Sequence, residues 1–308
     1  MARAVQPGAA VTVTVPASSA NLGPGFDSVG LALDVRDEVS AVVRGDTLVV
    51  RSEGEGADEV PRDETHLVHR AMVAAWQHLG VEPPRGLELT CRGAIPHSRG
   101  LGSSASAIVA GASVAAALAG VDLGAPEGLA QVNDVASTLE GHPDNASASV
   151  YGGLTVSWAD DVQPDRWRTT ALTVHADLRP VVLVPEDRLA THEARAALPP
   201  EIGHADAARN AGRAALLTHA LTHDPALLLP ATRDWLHQEQ RRIAYPVTMA
   251  MVDRLRRAGH AAVVSGAGPS VLVLATVSTA DAVAATAREH AGWNVLQPQI
   301  SATGVRVV

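Results

Sequence analysis

From residue 100 to residue 121 the chain carries no charged side chain, and this stretch restricts the available folds more than any other. A segment of that length and character must be buried, in a membrane or in the middle of a globular core. It is mostly Ala, Gly and Ser, with only Leu101, Ile108, Val109, Val114, Leu118 and Val121 strongly apolar. Ala and Ser contribute little to membrane insertion, so the segment is expected to form a buried helix of a soluble protein. The helix should run from about Ser104 to Ala119 and stop at Gly120. Apolar residues make up 46% of the 308 and charged residues 19%, enough for a sizeable core and, as a prior, about two domains. Aromatics are only 3%, so that core must be built from Ala, Val and Leu.

Charge narrows the chemistry. The net charge is −9 and no block of basic residues occurs, which argues against a nucleic-acid partner. Every basic residue is arginine; the chain contains no lysine. That removes a Walker A lysine, the strand lysine of protein kinases and any lysine Schiff base. The single cysteine, Cys91, excludes an intrachain disulfide and a cysteine-clustered metal site, and fits a reducing cytoplasm. Neither a targeting segment nor a membrane partner is expected, and the location expected is cytoplasmic.

Apolar runs at 11–15, 31–35, 39–43 and 47–51, separated by short polar breaks, read as an antiparallel meander. A helix follows over 65–79, ended by Gly80, and then a strand at 87–91. The second half reads as strand, helices, two strands, helix, strand, the order of a ferredoxin-like α+β unit. The polar, proline-containing segment 159–170 suggests a boundary, giving expected domains of 1–160 and 161–308.

Three loops stand out. In 95–105, Gly100 and Gly102 permit close backbone approach, and Ser103 and Ser104 stand where a helix should be capped. Free amide hydrogens and the positive end of the helix dipole suit a phosphate there, and Arg99 can add charge. Taken alone, the same residues also describe an ordinary capped helix after a glycine turn. Residues 16–30, with three glycines, Asn21 and Asp27, form a loop that is costly to order and is therefore expected to be functional. Residues 265–270, Ser-Gly-Ala-Gly-Pro-Ser, sit between two apolar strands as a tight turn that a ligand or another backbone can approach.

Together these segments resemble the three motifs of the GHMP small-molecule kinases, in order and across almost the whole chain. Residues 18–27, the run Glu140-Gly-His-Pro-Asp-Asn145 and the stretch 191–199 are similar to the homoserine kinase branch. Two departures are Ala-Ser-Ala after Asn145, where many relatives have Val-Ala-Pro, and His66, where asparagine is common. The resemblance implies an α+β two-domain fold: an N-terminal α/β domain with a left-handed β-α-β crossover and a ferredoxin-like C-terminal domain. It also implies ATP-dependent, magnesium-dependent phosphorylation of the side-chain hydroxyl of L-homoserine, a step of threonine biosynthesis. A homodimer is carried as an open expectation.

By the same resemblance Pro96, His97, Ser98, Arg99, Gly100, Leu101, Gly102, Ser103, Ser104, Ala105 and His66 hold ATP, and Ser104 and Glu140 hold magnesium. Asn21, Asp27, His142, Asn145, Arg195 and Arg241 contact the substrate, with both arginines on its carboxylate. Asn145, Asp27 and Thr191 are the catalytic candidates. Asp27 has two readings, a general base or the acceptor of the substrate ammonium. The neighbouring Arg242 leaves the register of Arg241 open. Two alternatives stand beside this function: a mevalonate-pathway kinase of the same superfamily, and a catalytically silent ligand-binding member. Mevalonate lacks an ammonium, and enzymes acting on it commonly use a lysine. Silent members tend to lose the loop glycines or the magnesium carboxylate.

Overall fold

A computed structural model of the chain describes residues 3–163, 166–189 and 191–308. The first half runs β1 (Arg3–Ala4), β2 (Ala10–Ala20), β3 (Val29–Val42), β4 (Leu48–Gly54), α1 (Leu67–Leu79), β5 (Val81–Glu82) and β6 (Leu87–Gly93). It continues through α2 (Ser103–Leu118), α3 (Pro126–Glu140), α4 (Asp144–Tyr151), β7 (Leu154–Ala159) and β8 (Trp167–Leu172). The uncharged stretch is α2, buried along most of its length. Its small side chains let α1 come close. A Cβ on Gly111 would lie 2.2 Å from the carbonyl oxygen of Val68, and the indole Nε1 of Trp76 donates to Ala115 O at 3.1 Å. Around this helix pair the core is aliphatic, with Val13, Val15, Val39, Leu89, Ile108 and Val109 among its members.

The expected meander is corrected. The sheet order is β13-β2-β3-β6-β4, with β7 on β3 and β8 on β7, so β6 is inserted between β3 and β4. β4 pairs with β6 in parallel, and α1 supplies the crossover that a parallel pair requires. The runs expected at 31–35 and 39–43 are one strand, β3. Their polar break is an anchor: Asp37 Oδ1 accepts from the N–H groups of Ala94 (2.8 Å) and Ile95 (3.1 Å), and Oδ2 accepts from Ser106 Oγ (3.1 Å). Asp37 thus ties the start of the 95–102 loop to the first turn of α2.

The second half comprises β9 (Leu178–Pro185), α5 (Thr191–Ala196), α6 (His204–Thr222), α7 (Leu228–Ala231), α8 (Pro246–Arg257), β10 (Ala262–Val264), β11 (Val271–Thr276), α9 (Ala280–Arg288), β12 (Trp293–Leu296) and β13 (Arg306–Val307). Its sheet has the order β10-β11-β9-β12 with every pair antiparallel, the arrangement of the expected ferredoxin-like unit. The two halves do not divide at residue 160, because that position falls inside the β7–β8 hairpin of the first sheet. The C-terminal β13 also returns to pair with β2. Among the described residues no helix is long and apolar enough to cross a membrane.

Candidate active site

The three loops meet at one place. The 21–28 turn after β2 holds Asn21, Leu22 and Asp27 at φ of 68°, 47° and 52°, a region that costs non-glycine residues about 1–3 kcal/mol each. Such a turn persists only if its surroundings fix it. Asn21 Oδ1 accepts the N–H of Asp27 and its Nδ2 donates to Gly266 O, both at 3.0 Å. Gly266 N donates to Ala20 O at 3.1 Å, while Ser265 Oγ donates to Gly100 O at 2.6 Å and meets Ser19 Oγ at 2.8 Å. The loop 265–270 is therefore a clasp between the other two.

In the 95–102 loop, Ser98, Gly100 and Gly102 all have positive φ, and Gly102 itself caps α2. Ser103 and Ser104 stand in the first turn and not at the cap, and among the described residues no side chain caps this end, which leaves the first amides of α2 open to an anion. Arg99 is spent elsewhere: its guanidinium donates to the carbonyls of His97, Pro185 and Glu186, which joins the loop to the end of β9. Leu101 and Ala105 are buried beneath the loop.

The glycines make room for protein as well as ligand. A Cβ on Gly100 would lie 2.3 Å from Ser265 O, and one on Gly102 would lie 2.2 Å from Ser18 Oγ and 3.1 Å from Asn145 Oδ1. Even Gly102→Ala is therefore expected to lower stability by about 2 kcal/mol or more, read by urea unfolding. An unchanged midpoint would show that the loop can move away from β2.

Two cavities share Ser98, Ser103 and Ser104 in their walls. The first, about 280 Å³, is lined by Val39, Ser52, Val60, Pro61, His66, Cys91 and His97 among others. Val39, Val60, Pro61, Leu67 and Ala107 give it an apolar wall suited to a planar base, and Asp37, Glu38, Glu53, Glu55 and Arg92 stand among its polar lining. His66 is 4% exposed, and its Nδ1 has no partner among the described residues. Burial, with His69 nearby, lowers its pKa, so the ring is neutral and able to hydrogen-bond a base. Burial pushes the Cys91 thiol up to about 12, leaving it an inert wall.

The second cavity, about 120 Å³, collects Asn21, Phe26, Asp27, Glu140, His142, Asp144, Asn145, Arg195 and Arg241. Gly141, left-handed at φ 82°, ends α3 and turns the chain into α4, which brings Glu140, His142, Asp144 and Asn145 to one wall. Ser104 Oγ donates to Glu140 Oε2 at 2.8 Å. Burial raises the Glu140 pKa, and a hydroxyl beside a desolvated carboxylate is a donor set suited to a hard cation that keeps waters and phosphate oxygens as its other ligands. The ligand atoms of Asp27, His142 and Asp144 also lie within 4.8 Å of one another. Those groups are already engaged, since Asp144 Oδ1 lies 2.6 Å from His142 Nδ1 and accepts the Asn145 N–H at 2.8 Å. Burial lowers the His142 pKa, but the Asp144 hydrogen bond and the charges of Asp144, Glu140 and Asp27 outweigh it, so the net shift is upward.

Arg195 forms a bidentate pair with Asp27, at 2.9 and 2.7 Å. Arg241 is 1% exposed, and its Nε has no partner among the described residues. Its NH1 lies 3.5 Å from His237 Nδ1. His237 is fully buried and its pKa is lowered by that burial; its Nε2 is 2.8 Å from Gly23 O, which fixes the proton there and leaves Nδ1 as an acceptor. Phe26, the only phenylalanine, lies under both guanidinium groups, with Arg195 Cζ 5.5 Å and Arg241 Cζ 5.3 Å from its centroid, and stacks on His237 at 5.1 Å. One aromatic ring thus stands against two like charges. Arg242 does not line the cavity and pairs with Glu239 and Asp253, whereas Arg241 does line it. The side chain of Thr191, a catalytic candidate from the sequence, lies outside the described residues.

An uncapped helix N-terminus, a hydroxyl–carboxylate pair and two arginines on one cleft suit a nucleotide beside a small carboxylate-bearing acceptor. Sequence profiles described as the GHMP kinases N terminal domain and the GHMP kinases C terminal match residues 66–153 and 206–291. A homoserine kinase of Streptomyces avermitilis is 47% identical over 97% of this chain and 96% of its own length. One from Rhodococcus erythropolis is 50% identical, over 97% and 96%. The chain belongs to the GHMP kinases, in the homoserine kinase branch. A crystal structure of homoserine kinase from Cytophaga hutchinsonii superposes with a TM-score of 0.84 at 25% identity, covering 97% of both chains. The three motifs of the GHMP kinases converge on the two cavities that share Ser98, Ser103 and Ser104. A larger hollow of about 650 Å³ near Leu228, His260 and Thr276 contains none of them.

Proposed function

We propose that the chain transfers the γ-phosphoryl group of ATP to the side-chain hydroxyl of L-homoserine. The observation that carries this is that the two cavities share Ser98, Ser103 and Ser104, so that a base pocket and a charged acceptor pocket stand on either side of the first turn of α2. Phosphoryl transfer depends on position and charge neutralisation more than on covalent help. The apolar pocket with His66 receives adenine, and the first turn of α2 receives the phosphates. Ser104 and Glu140 are the residues that would hold magnesium, which neutralises phosphate charge when bound. Arg241 and Arg195 bind the substrate carboxylate, and Asp27 accepts its ammonium.

Asn145 orients the nucleophile. The hydroxyl oxygen attacks the γ-phosphorus as the bond to the bridging oxygen of ADP breaks, and the hydroxyl proton passes to an oxygen of the transferred group. The bidentate engagement of Asp27 with Arg195 supports its role as an ionic contact over that of a base. An ADP-release assay across L-homoserine, mevalonate, L-threonine, shikimate and galactose, with and without magnesium, tests the assignment. Homoserine should give the highest kcat/KM, and a higher value for mevalonate or galactose would overturn it. The product, a phosphate ester, would feed a reaction in which phosphate is the leaving group.

A further inference from the structure

Ser18 sits on β2, is completely buried, and is absent from the walls of the acceptor cavity. Its Oγ nevertheless donates to Asn145 Oδ1 at 3.0 Å, across 127 residues of sequence. An amide has one acceptor and one donor end. With its oxygen held by Ser18, Asn145 turns its Nδ2 donor towards the cavity that it lines. We infer that Ser18 is a positioning residue, fixing Asn145 as a hydrogen-bond donor to the reacting oxygens.

Neighbouring groups hold the arrangement. Ser149 Oγ lies 3.1 Å from Pro16 O and 3.3 Å from Ser18 Oγ, so the hydroxyl of Ser18 is itself braced from α4. Gly102 stands against the same two atoms, and a Cβ there would come within 2.2 Å of Ser18 Oγ and 3.1 Å of Asn145 Oδ1. The backbone N–H of Ser18 donates to Leu101 O at 3.1 Å, so one residue contacts the phosphate loop through its main chain and Asn145 through its side chain. These two functions are separable. Removing the hydroxyl leaves the main-chain bond to the loop in place and frees the amide, while Ser149 keeps its bond to Pro16 O.

The inference rests on the reading of Asn145 as the group that orients the nucleophile. Ser18→Ala should lower kcat by up to about 10²-fold, with the KM values for ATP and homoserine little changed. Ser18→Cys, of similar shape but a weak donor, should fall between Ala and the parent. The deciding measurement is a double-mutant cycle: Ser18→Ala should cost nothing further in an Asn145→Ala background. Additive losses, or a fall in ATP affinity and thermal stability that tracks the fall in kcat, would give Ser18 a merely structural role and overturn the inference. A near-normal Asn145→Ala would overturn the reading of Asn145 as well. A slow Asn145→Ala combined with additivity would remove Ser18 alone.

Discussion

Arg241→Met should give a protein at least as stable as the parent that binds homoserine far more weakly. A buried guanidinium normally requires a carboxylate, and among the described residues Arg241 has instead the ring of Phe26, a long contact to His237 and the nearby phenol of Tyr245. Burial lowers its pKa, another expression of the same unfavourable desolvation. Methionine removes the desolvated charge, fills similar volume and can rest on Phe26 through its sulfur. Losing a charge-assisted contact to the substrate carboxylate costs about 2–5 kcal/mol, a KM rise of roughly 30-fold or more. ATP affinity should be unchanged, because Arg241 does not line the base pocket. Thermal melting, calorimetry with ATP and steady-state kinetics provide the three readings. A destabilised variant with normal KM would make Arg241 a structural residue.

The second large effect divides Asp27 from Asn145. Asp27→Asn should mainly raise the KM for homoserine, since it removes the ammonium contact and the partner of Arg195. Asn145→Ala should mainly lower kcat, by up to about 10²-fold, through misplacement of the nucleophile. A general base would behave differently: its loss would lower kcat by roughly 10²–10⁴-fold and flatten the acid limb of the profile between about pH 5 and 9. A collapse of kcat in Asp27→Asn at unchanged KM, beside a near-normal Asn145→Ala, would make Asp27 the base.

Much of this site can be read from short-range sequence. Gly100, Gly102, Ser104, Asp27 and the Glu140–Asn145 run stand in compact segments where glycine and polar residues interrupt apolar runs, and such segments are costly unless used. The central helix is legible because a long uncharged stretch has few places to go. What the sequence conceals comes from pairings over long separations. Ser18 and Ser19 read as ordinary strand residues until Asn145 and Ser265 are brought against them. Phe26 and His237 acquire meaning only when two arginines from distant segments converge on them. Asp144 is a local exception: it stands in the legible Glu140–Asn145 run, and its contact to His142 spans only two residues. Arg99 shows the opposite error, since a cation in a phosphate loop invites an electrostatic role that three carbonyls have already taken. The meander failed for a similar reason: a polar pair at Asp37 and Glu38 looks like a turn, whereas it lies within β3 and anchors a loop from elsewhere.

The pairing of Asp27 with Arg195 imposes a condition of charge parity on whatever binds between them. A ligand that separates the two must hand a countercharge to each. Homoserine brings an ammonium and a carboxylate on one carbon, so the exchange conserves the number of satisfied ions. A hydroxy acid of the same length would satisfy the arginine and strand the aspartate. Discrimination then depends on what a ligand leaves behind as much as on what it touches. The correct substrate is held less tightly than two open charges would hold it, and every single-charge analogue is held less tightly still.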